Sequence, residues 1–151
     1  MATFVSSPFP TGNLRGRARR ADIEIHGVDQ AVPSYEGRIF LNNPDADRNS
    51  ALNETSGYLG SFFVFGKVEC WGEAGHCDEP QRRPYDRRRP PVMHAKVRIT
   101  VPEGRLERLI GQASGDPTLS VVAVLPDRKD YQQFSEEDVL KFERLSIIVY
   151  G

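Results

Sequence analysis

The chain has 151 residues, the size of one domain with its own hydrophobic core. Its 20 Lys and Arg against 21 Asp and Glu give a net charge of -1, so no molecule-wide field favours nucleic acid or an anionic membrane. No apolar run approaches the ~20 residues of a transmembrane helix, and the N-terminus lacks the pattern of a secretion signal. We therefore expect a cytoplasmic protein with no nucleic-acid or membrane partner.

The first twenty residues are rich in Ser, Pro, Gly and Arg and show no hydrophobic periodicity. This composition predicts a flexible or loosely docked N-terminal arm over residues 1–20. A single folded domain is then expected to cover residues 21–151.

Beyond the arm, apolar residues recur at every second position, which is the period of a strand with one buried face. The polar segment 42–57 interrupts this pattern and predicts a surface loop. In the strand after that loop, alternation places Phe62 and Val64 opposite Phe63 and Phe65. This strand is expected to be buried on both faces or to contact a partner on one. The predicted strands lie near residues 23–28, 35–41, 58–65, 92–101, 119–125 and 139–150.

Only residues 104–112 have helical spacing, with Leu106, Leu109 and Ile110 on one face and Gly111 placed to end the helix. Residues 135–138 are expected to add one further turn. Many short strands, turn-rich connections and one short helix predict an all-β fold. The expected architecture is an antiparallel β-sandwich of about six to eight strands with a long loop rich in Cys and Arg.

That loop holds both cysteines and one of the three histidines, in the order Cys70, His76 and Cys77. Thiolate and imidazole groups suit copper or zinc, and His94 at the start of the next strand would complete a set of ligands. The alternatives are a disulfide between Cys70 and Cys77, two inert thiols, or redox chemistry. They stay open because this spacing is not the Cys-x-x-Cys of common zinc sites. No cofactor is certain from the sequence.

An arginine-rich segment follows the cysteines. Guanidinium groups bind carboxylates and phosphates in a bidentate manner, so this segment indicates an acidic partner surface or a polyanion. The alternative is a solvated loop whose arginines pair with neighbouring acidic residues. For His26, on the opening strand, we expect a hydrogen bond to a backbone carbonyl. The candidate partner-binding residues are Arg82, Arg83, Arg87, Arg88, Arg89, Phe63 and Phe65.

Two stretches carry most of a resemblance to a known family, and the opening strand over residues 23–28 and the closing strand over residues 142–150 look similar to it too. Ser34-Tyr-Glu-Gly-Arg-Ile-Phe-Leu-Asn-Asn-Pro44 and Tyr58-Leu-Gly-Ser-Phe-Phe-Val-Phe-Gly66 are similar to the C-terminal β-sandwich domain of type 3 copper proteins, the tyrosinases, polyphenol oxidases and haemocyanins. The resemblance implies an accessory domain that packs over the copper site of an oxidase, keeps it latent and in some members assists copper loading. The family's dinuclear site uses six histidines, and this chain has three, so it cannot build that site alone.

The favoured hypothesis is therefore a non-catalytic accessory domain that docks on a tyrosinase-like copper oxidase. One alternative is an independent copper- or zinc-binding module built on the loop from Cys70 to Cys77. Another is a structural subunit that associates with itself through its edge strands. An enzyme is not expected, because no nucleophile motif or convergent acid and base is visible in the sequence.

Overall fold

The computed structural model of the chain describes residues 3–12, 14, 16, 19–66, 83–87 and 94–150. Two 3₁₀ turns lie in its connections, at Glu54–Ser56 and Lys129–Tyr131. No helix in these described ranges is long and apolar enough to cross a membrane. The strands and helices are β1 Thr3–Val5, β2 Arg20–Asp29, β3 Tyr35–Leu41, β4 Tyr58–Val64, β5 His94–Val101, α1 Arg105–Gln112, β6 Leu119–Val124, α2 Glu136–Val139 and β7 Arg144–Tyr150.

The seven strands of the described residues form two sheets. The four-stranded sheet has the order β1-β6-β3-β4, and the three-stranded sheet has the order β5-β2-β7. Every pairing between neighbouring strands is antiparallel. The all-β antiparallel sandwich predicted from the sequence is therefore confirmed, with a strand number inside the expected range.

Alternating residues of the central strands build the main core between the sheets. On β2, Ile23 and Ile25 are fully buried, and they share one cluster with Ile39 of β3 and Val121 of β6. Each such side chain contributes about 1.5–3 kcal/mol through burial. Helix α1 adds its apolar face to the same cluster, including Leu106, as its spacing predicted.

A second, smaller core lies on the outer face of the four-stranded sheet. Phe40, Ala46 and Val122 are buried there, and the ring of Tyr58 packs 5.6 Å from the ring of Phe40. Ala46 belongs to the polar segment 42–57, which folds back over the sheet. The predicted surface loop is thus also a cover for apolar residues.

The N-terminal segment differs from the expected arm. Thr3–Val5 forms β1 and pairs in register with β6, while Phe9 packs against the main core. The ring of Phe4 lies 4.8 Å from the ring of Phe142. A strand of three residues is too short for alternation to reveal, which is why the composition of residues 1–20 did not predict it.

Two predicted boundaries are also corrected. Residues 139–143 do not belong to the last strand, because α2 occupies Glu136–Val139 and β7 begins at Arg144. Gly111 does not end α1: the helix continues to Gln112 and stops at Ala113, whose extended backbone needs no glycine. The glycine that the helix uses is Gly104 at its N-cap, where φ is 73°.

Candidate functional site

The structure places only some of the predicted site residues. The metal or disulfide candidates Cys70, His76 and Cys77, and the arginines Arg82, Arg88 and Arg89, lie outside the described residues. The backbone of His94 begins β5, opposite Asp29 of β2. No group of three His, Cys, Asp or Glu residues that could hold a metal exists within the described part of the chain. The copper, zinc and disulfide hypotheses therefore stay predictions.

The exposed aromatic residues of β4 are the predicted site that the structure describes best. Phe62 and Val64 point into the core, and each is 4% exposed. Phe63 is 65% exposed, and Phe65, just past the end of the strand, is 80% exposed. The predicted alternation is confirmed, and it leaves the side chains of Phe63 and Phe65 open to solvent. We call Phe63 and Phe65 the aromatic pair.

This pair lies at a sheet edge. Within the described residues β4 pairs only with β3, and no other strand among them lies along its second side. Such edges are places where a second chain can add hydrogen bonds. Exposed aromatic side chains beside them supply apolar area that a partner could cover.

An ordered polar network borders Phe63 on the outer face. Phe63 lies directly opposite Glu36 of β3, and one oxygen of that carboxylate accepts a 2.9 Å hydrogen bond from Arg38 Nη2. The other oxygen accepts a 2.9 Å bond from Ser61 Oγ, which shares a 2.7 Å bond with the Tyr58 hydroxyl. The bond from Arg38 lowers the pKa of Glu36 below its ordinary value, against the opposing effect of partial burial. A fixed polar rim beside an apolar anchor is the usual anatomy of a protein interface.

The outer face of the three-stranded sheet carries a second charged cluster, centred on Glu24. Arg98 Nε donates to Glu24 Oε1 at 2.9 Å, and Lys96 Nζ lies 3.6 Å from the same oxygen. The bond from Arg98 holds the pKa of Glu24 below its ordinary value, although burial opposes it. His26 Nε2 lies 3.1 Å from Glu24 Oε2, so its partner is a carboxylate rather than the backbone carbonyl that was expected.

The described part of the arginine segment is a turn. The Asp86 amide donates a 3.1 Å hydrogen bond to the carbonyl of Arg83, and both Arg83 and Arg87 are exposed. Between them Tyr85 is 98% exposed and has φ of 78°. Tyr85 is an exposed aromatic residue outside the predicted partner-binding residues. Its place after Pro84 in a turn is the signal that could have indicated it.

Comparison of the chain with protein-family models, with curated proteins and with solved structures finds no match. The resemblance to the C-terminal domain of type 3 copper proteins therefore depends on the sequence stretches alone and stays a prediction.

Proposed function

We propose that this chain is a non-catalytic docking domain, that it acts by contact, and that its partner is a type 3 copper oxidase whose copper site it shields or helps to load. The observation that carries the proposal is the aromatic pair, two phenylalanines left largely exposed at a sheet edge. The choice of partner is supported by the sequence resemblance.

The aromatic pair supports docking on energetic grounds. Fully burying an exposed Phe side chain contributes about 1.5–3 kcal/mol, so these two side chains, which are already partly covered, would together supply at most about 6 kcal/mol. Association itself opposes binding by about 4–15 kcal/mol. Phe63 and Phe65 would therefore act as anchors, and further contacts are needed from the edge of β4 and the polar rim of Glu36 and Arg38.

The arginine segment is proposed to supply charged contacts in the same docking event. Arg83 and Arg87 are exposed, and guanidinium groups pair with carboxylates on a partner. Such contacts at the rim of an interface mainly speed association and make it sensitive to salt. We therefore expect the arginines to affect the association rate and the aromatic pair to affect the dissociation rate.

The test is affinity capture from the native host with the immobilised chain. We expect the wild-type chain to retain a type 3 copper oxidase, identified by mass spectrometry, and the double variant Phe63→Ser/Phe65→Ser to lose it. Leu52→Ser is the matched control, because Leu52 is an apolar residue 48% exposed in the loop over the opposite end of the sheet. Retention of no oxidase, or equal retention by the double variant, would contradict the proposal.

A further inference from the structure

Strand β7 is an edge strand with few features that would discourage pairing. Within the described residues it hydrogen-bonds only to β2, on one side. Its sequence, Arg-Leu-Ser-Ile-Ile-Val-Tyr over seven residues, contains no Pro or Gly and has a single charge at its first position. Its register with β2 runs from Arg144 to Tyr150 without a bulge. Long, apolar, regular edges of this kind are templates for pairing with another chain.

The other edge strands each carry a feature that limits such pairing. β1 has only three residues. The pairing of β5 with β2 contains an irregularity between Ile25 and Val28, and Lys96 and Arg98 place charges on β5. β4 contains Gly60 and pairs with β3 through an irregularity at that end, so only its short stretch over residues 60–64, beside the aromatic pair, is regular. Short length, charges and bulges are the devices by which natural proteins protect sheet edges. β7 has none of them beyond its terminal arginine.

We propose that β7 pairs with β7 of a second copy of this chain, antiparallel and about a two-fold axis at Ile147. The two three-stranded sheets would then form one continuous six-stranded sheet. In this register Arg144 lies opposite Tyr150, Leu145 opposite Val149, Ser146 opposite Ile148, and Ile147 opposite Ile147 of the second copy.

The side chains of β7 are complementary to themselves in this register. Leu145, Ile147 and Val149 all pack on the core side, so apolar residues meet apolar residues there. On the outer face no like charges oppose each other, and Arg144 meets an aromatic ring. Tyr150 already accepts a cation over its ring within its own sheet, with Arg20 at 5.1 Å.

Geometry also favours this register over its neighbours. Side chains of residues that lie opposite each other in a sheet point to the same face. Moving the register of the two β7 strands by one residue would therefore place the core-facing residues of one copy on the same face as the solvent-facing residues of the other. A shift by two residues would leave two residues of each seven-residue strand without a partner. The axis at Ile147 keeps every residue of β7 paired.

An apolar cleft lies beside the core-facing side of β7, where apolar side chains of a second copy would fit. The cleft has a volume of about 450 Å³ and includes Leu145 and Ile147 in its lining, together with Phe4, Phe9 and Leu119. Pairing would bring the apolar core-side residues of the second copy next to the rim of this cleft. The contact would thus extend the core as well as the sheet.

Sedimentation equilibrium of the full chain tests the pairing. We expect the wild-type chain to form a dimer and Ile148→Lys to weaken it at least tenfold, because the new charge lies opposite Ser146, which cannot neutralise it, and diagonally from the same lysine of the second copy. Thr100→Lys is the matched control and should stay dimeric. Thr100 and Ile148 both lie opposite Asp22, on the two sides of β2.

The register is tested by charge rescue. In Ser146→Glu/Ile148→Lys each new glutamate faces a new lysine of the second copy, so this double variant should recover the dimer. A monomeric wild-type chain, an unchanged Ile148→Lys dimer or a failed rescue would overturn the proposal. Because the aromatic pair lies on β4 of the other sheet, none of these results bears on docking to the oxidase.

A cross-linking variant keeps the test independent of the lysine's effect on folding. Ile147→Cys, in a Cys70→Ser/Cys77→Ser background, places two thiols on the two-fold axis. Opposed residues of antiparallel strands have Cα atoms about 4.5–5.5 Å apart, which suits a disulfide. Mild oxidation should give a covalent dimer from Ile147→Cys and none from Thr100→Cys. Absence of the covalent dimer from Ile147→Cys would also overturn the proposal.

Discussion

Neighbouring phenylalanines on β4 allow one residue type to be compared on the two faces of a strand. Phe62 is buried in the main core, and its ring lies 6.1 Å from the ring of Tyr35 at an interplanar angle of 78°. Removing a buried phenylalanine side chain lowers the free energy of unfolding by about 3–5 kcal/mol. Phe63 is mostly exposed, and we expect Phe63→Ala to change that free energy by no more than about 0.5 kcal/mol.

Urea unfolding followed by circular dichroism measures both effects. Small domains are stable by about 5–15 kcal/mol, so Phe62→Ala should shift the midpoint strongly or leave the chain unfolded. Phe63→Ala should unfold at nearly the wild-type midpoint with the same slope. Equal losses from the two substitutions would refute the placement of Phe62 inside and Phe63 outside.

Two further predictions concern a turn and a charged cluster. Gly57→Ala should lower the melting temperature by several degrees. Gly57 has φ of 81°, and an added Cβ would lie 2.1 Å from the carbonyl oxygen of Leu41. An unchanged melting temperature would contradict this geometry. The hydrogen bond from Arg98 holds the pKa of Glu24 below its ordinary value in the folded chain, so the unfolded chain takes up this proton first as the pH falls. The free energy of unfolding should therefore decrease below about pH 4.5, and urea titrations across that range should show a shallower decrease for Glu24→Gln. Some decrease should remain in Glu24→Gln, because the pKa of Glu36 is lowered too. Identical pH profiles of the wild-type chain and Glu24→Gln would count against the ion pair between Glu24 and Arg98.

The alternating strands could be predicted from the sequence because each has one buried and one open face. Ile23 and Ile25, and the contrast between Phe62 and Phe63, follow from a period of two alone. β1 could not be predicted, since three residues carry no period. Its place in the sheet comes from pairing with β6, more than a hundred residues further along the chain.

Features that depend on tertiary contacts also could not be predicted from the sequence. The burial of Phe40 on the outer face requires the polar loop 42–57 to fold back over it, and no local pattern encodes that cover. The partner of Glu24 is Arg98, 74 residues away, and the two meet only because β2 pairs with β5. For the candidate site, alternation could predict that Phe63 and Phe65 share a face; the fold leaves both side chains exposed rather than buried, and contact with a partner stays a prediction.

Docking on the oxidase is tested most directly by measuring how fast a type 3 copper oxidase from the native host oxidises a diphenol while the chain is added. We predict that the wild-type chain lowers the rate in a saturable manner and that Phe63→Ser/Phe65→Ser leaves the rate unchanged. A rate unaffected by the wild-type chain, or lowered equally by the double variant, would contradict docking through the aromatic pair.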